Sequence, residues 1–441
     1  MALRIAEGRA VLGSSAMDPA RPFAGVEVVE FGQFIAVPFC AQLLADGGAH
    51  VTKIESLEGD PVRQLSPLAP GETRHFISRN RGKHSLPLDL RHPRAREVVD
   101  RLLGRADVVL TNFRPGLAEE MGLDAPTLGP RFPRLIVGNV SAFGRHGPDA
   151  ALAGMDLVVQ ARSGLMASLG KVRDGVPATG EAPVADYICA LSLAFGVSAA
   201  LLRRERTGRG GQVDVALFMA ALLAQNNSLV RVTSVDGPVQ AEALARLRQM
   251  RAAGATFEEQ SAIIPSARTA GMLNVYFRTY PTKDDVIGIA CVSPSLQRTL
   301  METLGLTDEA HGGGIKEREA LERHYAGLGE RVESLLASRT SAEWKHIFDK
   351  RGLPAAAVRF AVEMFDDEQT RANGFLYDLP HPALGPVRVL APPVKLDGDG
   401  FQPGPATPPF GSEARALLVR AGFSETEVDA LVAAKVTRTS F

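Results

Sequence analysis

Short apolar runs rich in β-branched residues alternate with helical stretches through the first half of the chain. Residues 25–31 form the first run and read as a strand; Pro38 opens a helix that continues to Leu44, and 50–55 is a second strand. Residues 86–90 predict a short strand, 93–103 a helix, 106–110 and 134–141 further strands, with a helix over 116–121. Strands and helices of this length in alternation imply a parallel sheet covered on both faces. Residues 187–204 then predict one long apolar helix, the glycine-rich stretch 207–211 breaks it, and a strand over 212–216 and a helix over 217–227 follow.

The second half has a different texture. Residues 240–260 are helical in composition but polar, without an apolar stripe, and read as a linker or exposed arm. A second domain starts near Met272, with a strand over 273–280 that Pro281 ends, a pairing strand over 286–292, and helices over 295–304, 317–326 and 341–350. Residues 380–409 are rich in Pro and Gly and predict extended chain, and helices over 412–421 and 424–434 close the sequence. The expected organisation is α/β: a Rossmann-like large domain over 23–224, a linker over 225–271, a smaller α+β domain over 272–375, an extended linker over 376–408, and C-terminal helices over 409–441 that return to the large domain. No internal repeat is visible.

A chain of 441 residues suits two domains. Its 45% hydrophobic and 22% charged residues are ordinary for a globular protein, and a net charge of −1 gives no global field toward nucleic acid or an anionic membrane. Three scattered cysteines, Cys40, Cys189 and Cys291, argue against a disulfide framework and for a reducing compartment, the cytoplasm. The most apolar stretch, 190–202, ends at Arg203-Arg204 and falls short of the ~20 residues of a spanning helix. The first sixteen residues show no secretory pattern, and Met17 offers a second start.

Common catalytic signatures are missing. The first strand is followed by Gly32-Gln33-Phe34-Ile35-Ala36 rather than GxGxxG, so a nicotinamide or flavin dinucleotide is not indicated. There is no HExxH or GxSxG. Residues 164–171 miss the phosphate-loop spacing by one residue, and His311-Gly312-Gly313-Gly314 stands without a nucleophile elbow and reads as a flexible loop.

An ordered set of blocks carries the chemistry: Glu30-Phe31 with Pro38, residues 48–55, residues 80–86 with Leu88-Asp89-Leu90, Asn112-Phe113-Arg114-Pro115-Gly116 with Met121-Gly122, and residues 133–136. Phe143-Gly144 with Gly147-Pro148, Asp156 with Gln160-Ala161 and Ser163-Gly164, Pro183-Val184-Ala185-Asp186, and residues 207–215 complete it. In this order and spacing the sequence resembles the family III CoA-transferases, a superfamily that includes α-methylacyl-CoA racemases. The resemblance runs over about residues 23–225 and returns weakly in the last 60.

Asp186 stands at the position of that family's catalytic aspartate. Read from the residues alone, it precedes a long apolar helix as an N-cap, where terminal amides would keep it ionised. The resemblance implies that Asp186 attacks an acyl-CoA thioester to give a mixed anhydride, then an aspartyl-CoA thioester from which CoA passes to an acceptor acid. Acyl-CoA and a small carboxylic acid are the implied partners. Coenzyme A is substrate and product, with no tightly bound cofactor and no metal. By the same resemblance Ile35, Ala36, Asn80, Arg81, Lys83, Asn112, Phe113, Arg114, Ser141, Ala142 and Phe143 contact CoA. As bare residues, Lys83 and Arg114 read equally well as surface cations and Phe113 as core. Ser56, Glu120 and Ser141 stand where some members carry a basic CoA contact, which passes the phosphates to Arg63, Arg74 or Arg81; the Gly-rich flap of formyl-CoA transferases is missing. Glycines at 144–147, Gly271 and 312–314 are candidate gating segments, and Arg162 is a candidate for a distal carboxylate.

The alternatives are a racemase-like isomerase and a non-catalytic CoA-binding protein. Racemisation needs opposed acid–base groups. The racemase branch carries a His where Met155 stands, which ranks transfer above it. Family members form interlocked homodimers, and the linkers suit such threading; no nucleic acid or membrane partner is implied.

Overall fold

Strand β1 (Glu27–Glu30) is buried over Val28, Val29 and Glu30, so its sequence reads as a nearly continuous run rather than a clean alternation. The computed structural model describes residues 21–264 and 273–440. The chain divides into two units, Met1–Asn226 with Gln369–Phe441, and Asn227–Glu368. The second start at Met17, the onset of a second domain at Met272 and the candidate gating residue Gly271 lie outside the described residues.

In the first unit, β1 is followed by α1 (Ala36–Asp46), β2 (His50–Glu55), α2 (Arg74–Asn80), β3 (Lys83–Pro87), α3 (Ala95–Leu103) and β4 (Val108–Thr111). Short helices α4 (Leu117–Glu120) and α5 (Ala125–Arg131) lead to β5 (Ile136–Ser141), and α6 (Asp156–Ser163) and α7 (Leu165–Ser168) to a small hairpin of β6 (Val172–Arg173) and β7 (Val176–Pro177). Helix α8 (Val184–Thr207), β8 (Gly211–Ala216) and α9 (Leu217–Leu223) complete this part. The six long strands form one parallel sheet in the order β3-β2-β1-β4-β5-β8. That order reverses between β1 and β4, where open α/β sheets place their ligand crevice, beyond the carboxyl ends of the strands.

Each face of the sheet has its own core. One joins α1, α8 and α9 to Val28, Val51, Val108, Leu110, Ile136 and Val140. The other packs α3 and the returning helices Ala414–Arg420 and Glu425–Ala433 against Val29, Ile54, Leu86, Val109 and Val137. Helix α8 is longer than the apolar stretch that announces it and, by length and composition alone, could cross a membrane. Its stripe Ala185, Cys189, Leu193, Val197 and Ala200 recurs every three to four residues and is buried on the sheet, the pattern of a core helix.

The second unit pairs Val286–Ala290 antiparallel with Phe277–Pro281 and Ala355–Ala357. Helices Pro294–Leu304, Arg318–Leu336 and Ser341–Lys350 share its core. The strand expected over 273–280 begins only at Phe277, because Leu273–Tyr276 turn as a helix that drives Tyr276 fully inside, its hydroxyl donating to Asp308 at 2.8 Å. Tertiary burial overrides the β propensity of Val275 and Tyr276. In the first unit, the stretch expected to be extended contains the hairpin Leu376–His381 with Gly385–Leu390, where Pro380 and Pro386 face each other in a two-stranded ladder that tolerates them.

Candidate active site

The turn between β1 and α1 reaches over the carboxyl ends of the sheet at its point of reversal. Gly32 is required there, since a Cβ would meet the Val37 side chain at 2.2 Å. Phe34 follows at φ 64°, a strained conformation for an aromatic residue and one that clusters at functional sites. The turn is clasped to the end of β4: Asn112 Oδ1 accepts the Gln33 N–H at 3.0 Å and Asn112 Nδ2 donates to the Gln33 carbonyl at 2.8 Å. Ile35 is half-buried at the N-cap of α1, Ala36 is buried, and Phe113 leans on Phe31 with ring centroids 5.8 Å apart.

Asp186 occupies the first turn of α8, but not its cap. Pro183 holds that position, so Asp186 is the third helical residue and its carboxylate lies past the amides it was expected to cap. Its own N–H is taken by Asp156 Oδ1 at 3.1 Å. Among the described residues no group donates to the Asp186 carboxylate. Burial, and next the negative charge of Asp156, push its pKa up to about 7, against a lowering by Arg79. The expected ionised cap is therefore replaced by a carboxyl poised near neutrality. Asp156 is fixed from the other side: its Oδ2 accepts from Gln160 one turn along α6, and Gln160 Oε1 accepts the Thr179 hydroxyl at 3.3 Å. Phe39 of α1 meets the ring of Tyr187 edge-on at 5.0 Å, seating the start of α8 against α1.

The residues expected to hold CoA phosphates at 80–83 face inward. Lys83 is fully buried, its ammonium on Glu30 at 2.7 Å, the Pro38 carbonyl at 2.7 Å and Asn80 Oδ1 at 2.8 Å. Arg81 is bound to both oxygens of buried Asp46, at 3.0 and 2.5 Å, and donates to the Leu390 carbonyl at 2.9 Å. Gly82, at φ 74°, donates to the Pro405 carbonyl at 2.7 Å, and a Cβ there would press on Gly404 at 3.3 Å. The Asn80 carbonyl accepts from Thr407. In this structure the block seats the returning C-terminal segment instead of a ligand. Arg63 is likewise enclosed, on Glu55 at 2.7 Å and over the Phe76 ring, and of the three substitute cations only Arg74 is exposed.

Other candidates line an open cavity of about 310 Å³ beside β4 and β5. Phe113, Arg114 and Ser141 face it, with Thr111, Glu119, Asp124, Asn139 and Arg145. Arg114 is exposed, while Arg145 pairs with Asp214 at 3.1 Å and Glu119 at 3.5 Å. Ser141 Oγ accepts the Gly144 N–H at 3.1 Å, shaping the rim. Ala142 and Phe143 lie outside the lining, the Ala142 carbonyl accepting from Phe218 N and Phe143 packing on the Phe218 ring. Asp186 does not line this cavity either. Gly144 and Gly147 keep positive φ with open space around them, Met155 is exposed, and Arg162 is held by Asp149 at 3.0 Å. All three cysteines are buried and free. Among the described residues no group of three or more His, Cys, Asp or Glu side chains could hold a metal ion.

Sequence reasoning passed over the supporting residues Asp156, Gln160, Thr179 and Arg79 as site members. The i, i+4 spacing of Asp156 and Gln160 was the available signal; nothing in the sequence joins Thr179 to them. Comparison with known proteins is consistent along the chain. The model of CoA-transferase family III matches residues 23–414. Cinnamoyl-CoA:phenyllactate CoA-transferase of Clostridium sporogenes is 27% identical over 93% of this chain and 95% of its own length. Succinyl-CoA–D-citramalate CoA-transferase of Chloroflexus aurantiacus is 30% identical over 85% and 88%. Among solved structures, Rv3272 of Mycobacterium tuberculosis superposes with a TM-score of 0.73 at 27% identity, covering 91% of this chain and 100% of that one.

Proposed function

The chain belongs to CoA-transferase family III, and on that premise we propose that Asp186 is the nucleophile that carries first the acyl group and then CoA. The observation that supports this most is the Asp186 carboxyl itself: mostly enclosed, without a hydrogen-bond donor among the described residues, and poised near neutrality. An ionised carboxylate without donors is a better nucleophile than one already solvated, and at pH above about 7 the ionised form prevails.

In the proposed reaction an Asp186 oxygen attacks the thioester carbonyl; a C–O bond forms, the C–S bond breaks, and CoA leaves as thiolate with the electron pair. The thiolate then attacks the Asp186 carbonyl of the mixed anhydride and releases the donor acid as carboxylate. An acceptor carboxylate attacks the resulting aspartyl-CoA thioester and again displaces thiolate. The thiolate finally attacks the acceptor carbonyl, giving the new acyl-CoA and restoring the Asp186 carboxylate. Both intermediates hydrolyse if water enters. The glycines of the 144–147 loop are suited to gating access.

We place the CoA nucleotide in the cavity beside β4 and β5, with Arg114 and Phe113 as contacts, because Lys83, Arg81 and Arg63 are already bound by carboxylates. Relatives named for phenyllactate, D-citramalate and oxalate support a carboxylic acid as acceptor. A homodimer, interlocked as the family resemblance implies, would cover Leu191, Phe195 and Leu202 on the outer face of α8 and Met219 and Leu223 of α9, all exposed on this chain. Helix Thr233–Ala252 of the second unit, with none of its residues buried, suits the same role.

Incubation with acyl-CoA and a second acid tests the assignment. A new thioester is expected. Exchange of the α-hydrogen without an acceptor would indicate an isomerase, and neither product a binding protein.

A further inference from the structure

Among the described residues, the cavity beside β4 and β5 is lined by two cations, Arg114 and Arg145, and two carboxylates, Glu119 and Asp124. Asp124 is withdrawn from it: the residue is buried, and its Oδ2 accepts the Thr127 N–H at 3.1 Å at the start of α5. Glu119 and Arg145 are exposed and meet at 3.5 Å. Arg145 belongs to the loop after β5, between Gly144 at φ 94° and Gly147 at φ 98°. It has a partner on each side. Asp214 of β8 meets its Nη1 at 3.1 Å, and Glu119 lies on α4, which follows β4. Because the sheet runs β4-β5-β8, the two ion pairs span the end of β5 and tie the loop to the elements on either side.

Both pairs are suited to exchange. Exposed ion pairs hold weakly and are screened by salt. Asp214 keeps donors without Arg145, from Gln212 at 2.5 Å and Asn139 at 3.5 Å, and Glu119 has about half of its side chain in water. Neither Gly144 nor Gly147 has a neighbour within 4 Å of where a Cβ would stand, so the loop can re-aim Arg145 without a clash at either glycine. We propose that Arg145 is a latch opened by the 3′-phosphate of CoA, which replaces Glu119 and Asp214 as its partner, so that Arg145 selects CoA over the 3′-dephosphorylated form. The proposal rests on the CoA nucleotide occupying this cavity. Charge decides which phosphate acts. Two carboxylates give up the guanidinium, so the incoming group must bring about two negative charges. A phosphate monoester does, with about −1.5 to −2 at neutral pH and three acceptor oxygens. Each phosphate of the pyrophosphate bridge carries a single charge and falls to Arg114. The planar guanidinium of Arg145 takes two oxygens of the monoester at once. Glu119 opposes the exchange, since it holds Arg145 and repels the phosphate.

The test is the equilibrium Kd of CoA and of 3′-dephospho-CoA, read by calorimetry on the same proteins. Arg145→Gln is expected to raise the Kd for CoA about 10-fold or more, the loss of one charge-assisted contact, and to leave 3′-dephospho-CoA within about twofold. Arg145→Lys, which keeps the charge without the fork, should fall between. Glu119→Gln should bind CoA about twofold to fivefold more tightly, the scale of an exposed ion pair, with no gain for 3′-dephospho-CoA. A gain in affinity cannot come from a damaged fold. Equal changes on the two ligands, or no change on CoA, in either the Arg145→Gln or the Glu119→Gln protein overturn the latch. Arg114→Gln separates the latch from the placement of the nucleotide. If Arg114→Gln weakens both ligands while Arg145→Gln changes neither, the nucleotide stays in the cavity and the latch is refuted. If neither arginine variant loses affinity for either ligand, the placement fails and the latch with it.

Discussion

Two charge clusters lie in the first unit, one fully buried and one half-buried, and they are built on opposite principles. Around Glu30 every charge has a partner. Lys53 sits on Glu30 at 3.1 Å and Asp60 at 2.9 Å and donates to the Gly32 carbonyl at 2.6 Å, while Lys83 takes the other Glu30 oxygen. The two ammoniums thus hold both ends of the turn from Gly32 to Pro38. Around Asp186 there is no such closure: one oxygen of Asp156 is taken up by the Asp186 N–H, and among the described residues nothing donates to the Asp186 carboxylate. Pairing separates the scaffold from the candidate site here. A closed set of partners fixes backbone, whereas an open one leaves reactivity for a ligand to complete.

The titrations show the same contrast. Burial lowers a lysine, yet Glu30, Asp60 and Glu55 outweigh it and hold Lys53 above its usual value. Lys83 falls to about 8 through burial, with Glu30 opposing and Lys53 adding to the fall. The attraction of Glu30 is divided between two cations, and Lys53 also draws on Asp60. At Asp186 burial and Asp156 act together, and no partner reverses them.

The same chemical change, carboxylate to amide, should therefore have opposite consequences in the two clusters. Asp186→Asn is expected to lower kcat by about 10⁴ or more, measured as CoA transfer, with binding of CoA retained. Glu30→Gln leaves two buried ammoniums short of an anion and is expected to destabilise the protein by about 3–5 kcal/mol in urea unfolding. The pH dependence comes next. Transfer should rise with pH through about 7 as Asp186 ionises, and Asp156→Asn should move that limb to lower pH by removing the like charge. That displacement should be smaller than the shift due to burial, which is the larger cause.

The smallest effect is on stability at Asp186. Its folded value lies above the ordinary 3.8, so its contribution is complete below about pH 4 and is lost as pH rises to about 7. Asp186→Asn is accordingly expected to raise Tm by a few degrees at pH 8 and to leave it unchanged at pH 4, read by calorimetry. A lower Tm at pH 8 would mean that the carboxylate is stabilised by a partner.

Much of the sheet was legible because its strands are short apolar runs between helices: 50–55 agrees residue for residue with β2, and 341–350 with its helix. Charge placement was less so. Shifting β3 from 86–90 to Lys83–Pro87 puts Lys83 inside a strand, where its side chain must enter the protein, and no local pattern distinguishes that lysine from one at a rim. Asp186 was found by its block, but its environment was misjudged. The helix starts three residues earlier than a cap at Asp186 would require, and the like charge of Asp156 comes from 30 residues away. The seat that residues 80–83 give to Thr407 and Pro405 is equally nonlocal.

In the proposed reaction Asp186 exchanges an oxygen with its substrates, and oxygen-18 transfer reports that exchange directly. Wild-type protein is turned over with unlabelled acyl-CoA and an acid it accepts, whose carboxylate carries oxygen-18, and is then digested for mass spectrometry. The peptide bearing Asp186 should gain oxygen-18, localised to that side chain by fragmentation, because the last step leaves an acceptor oxygen on it. Many turnovers without label at Asp186, or label at a different carboxylate, would exclude Asp186 as the nucleophile.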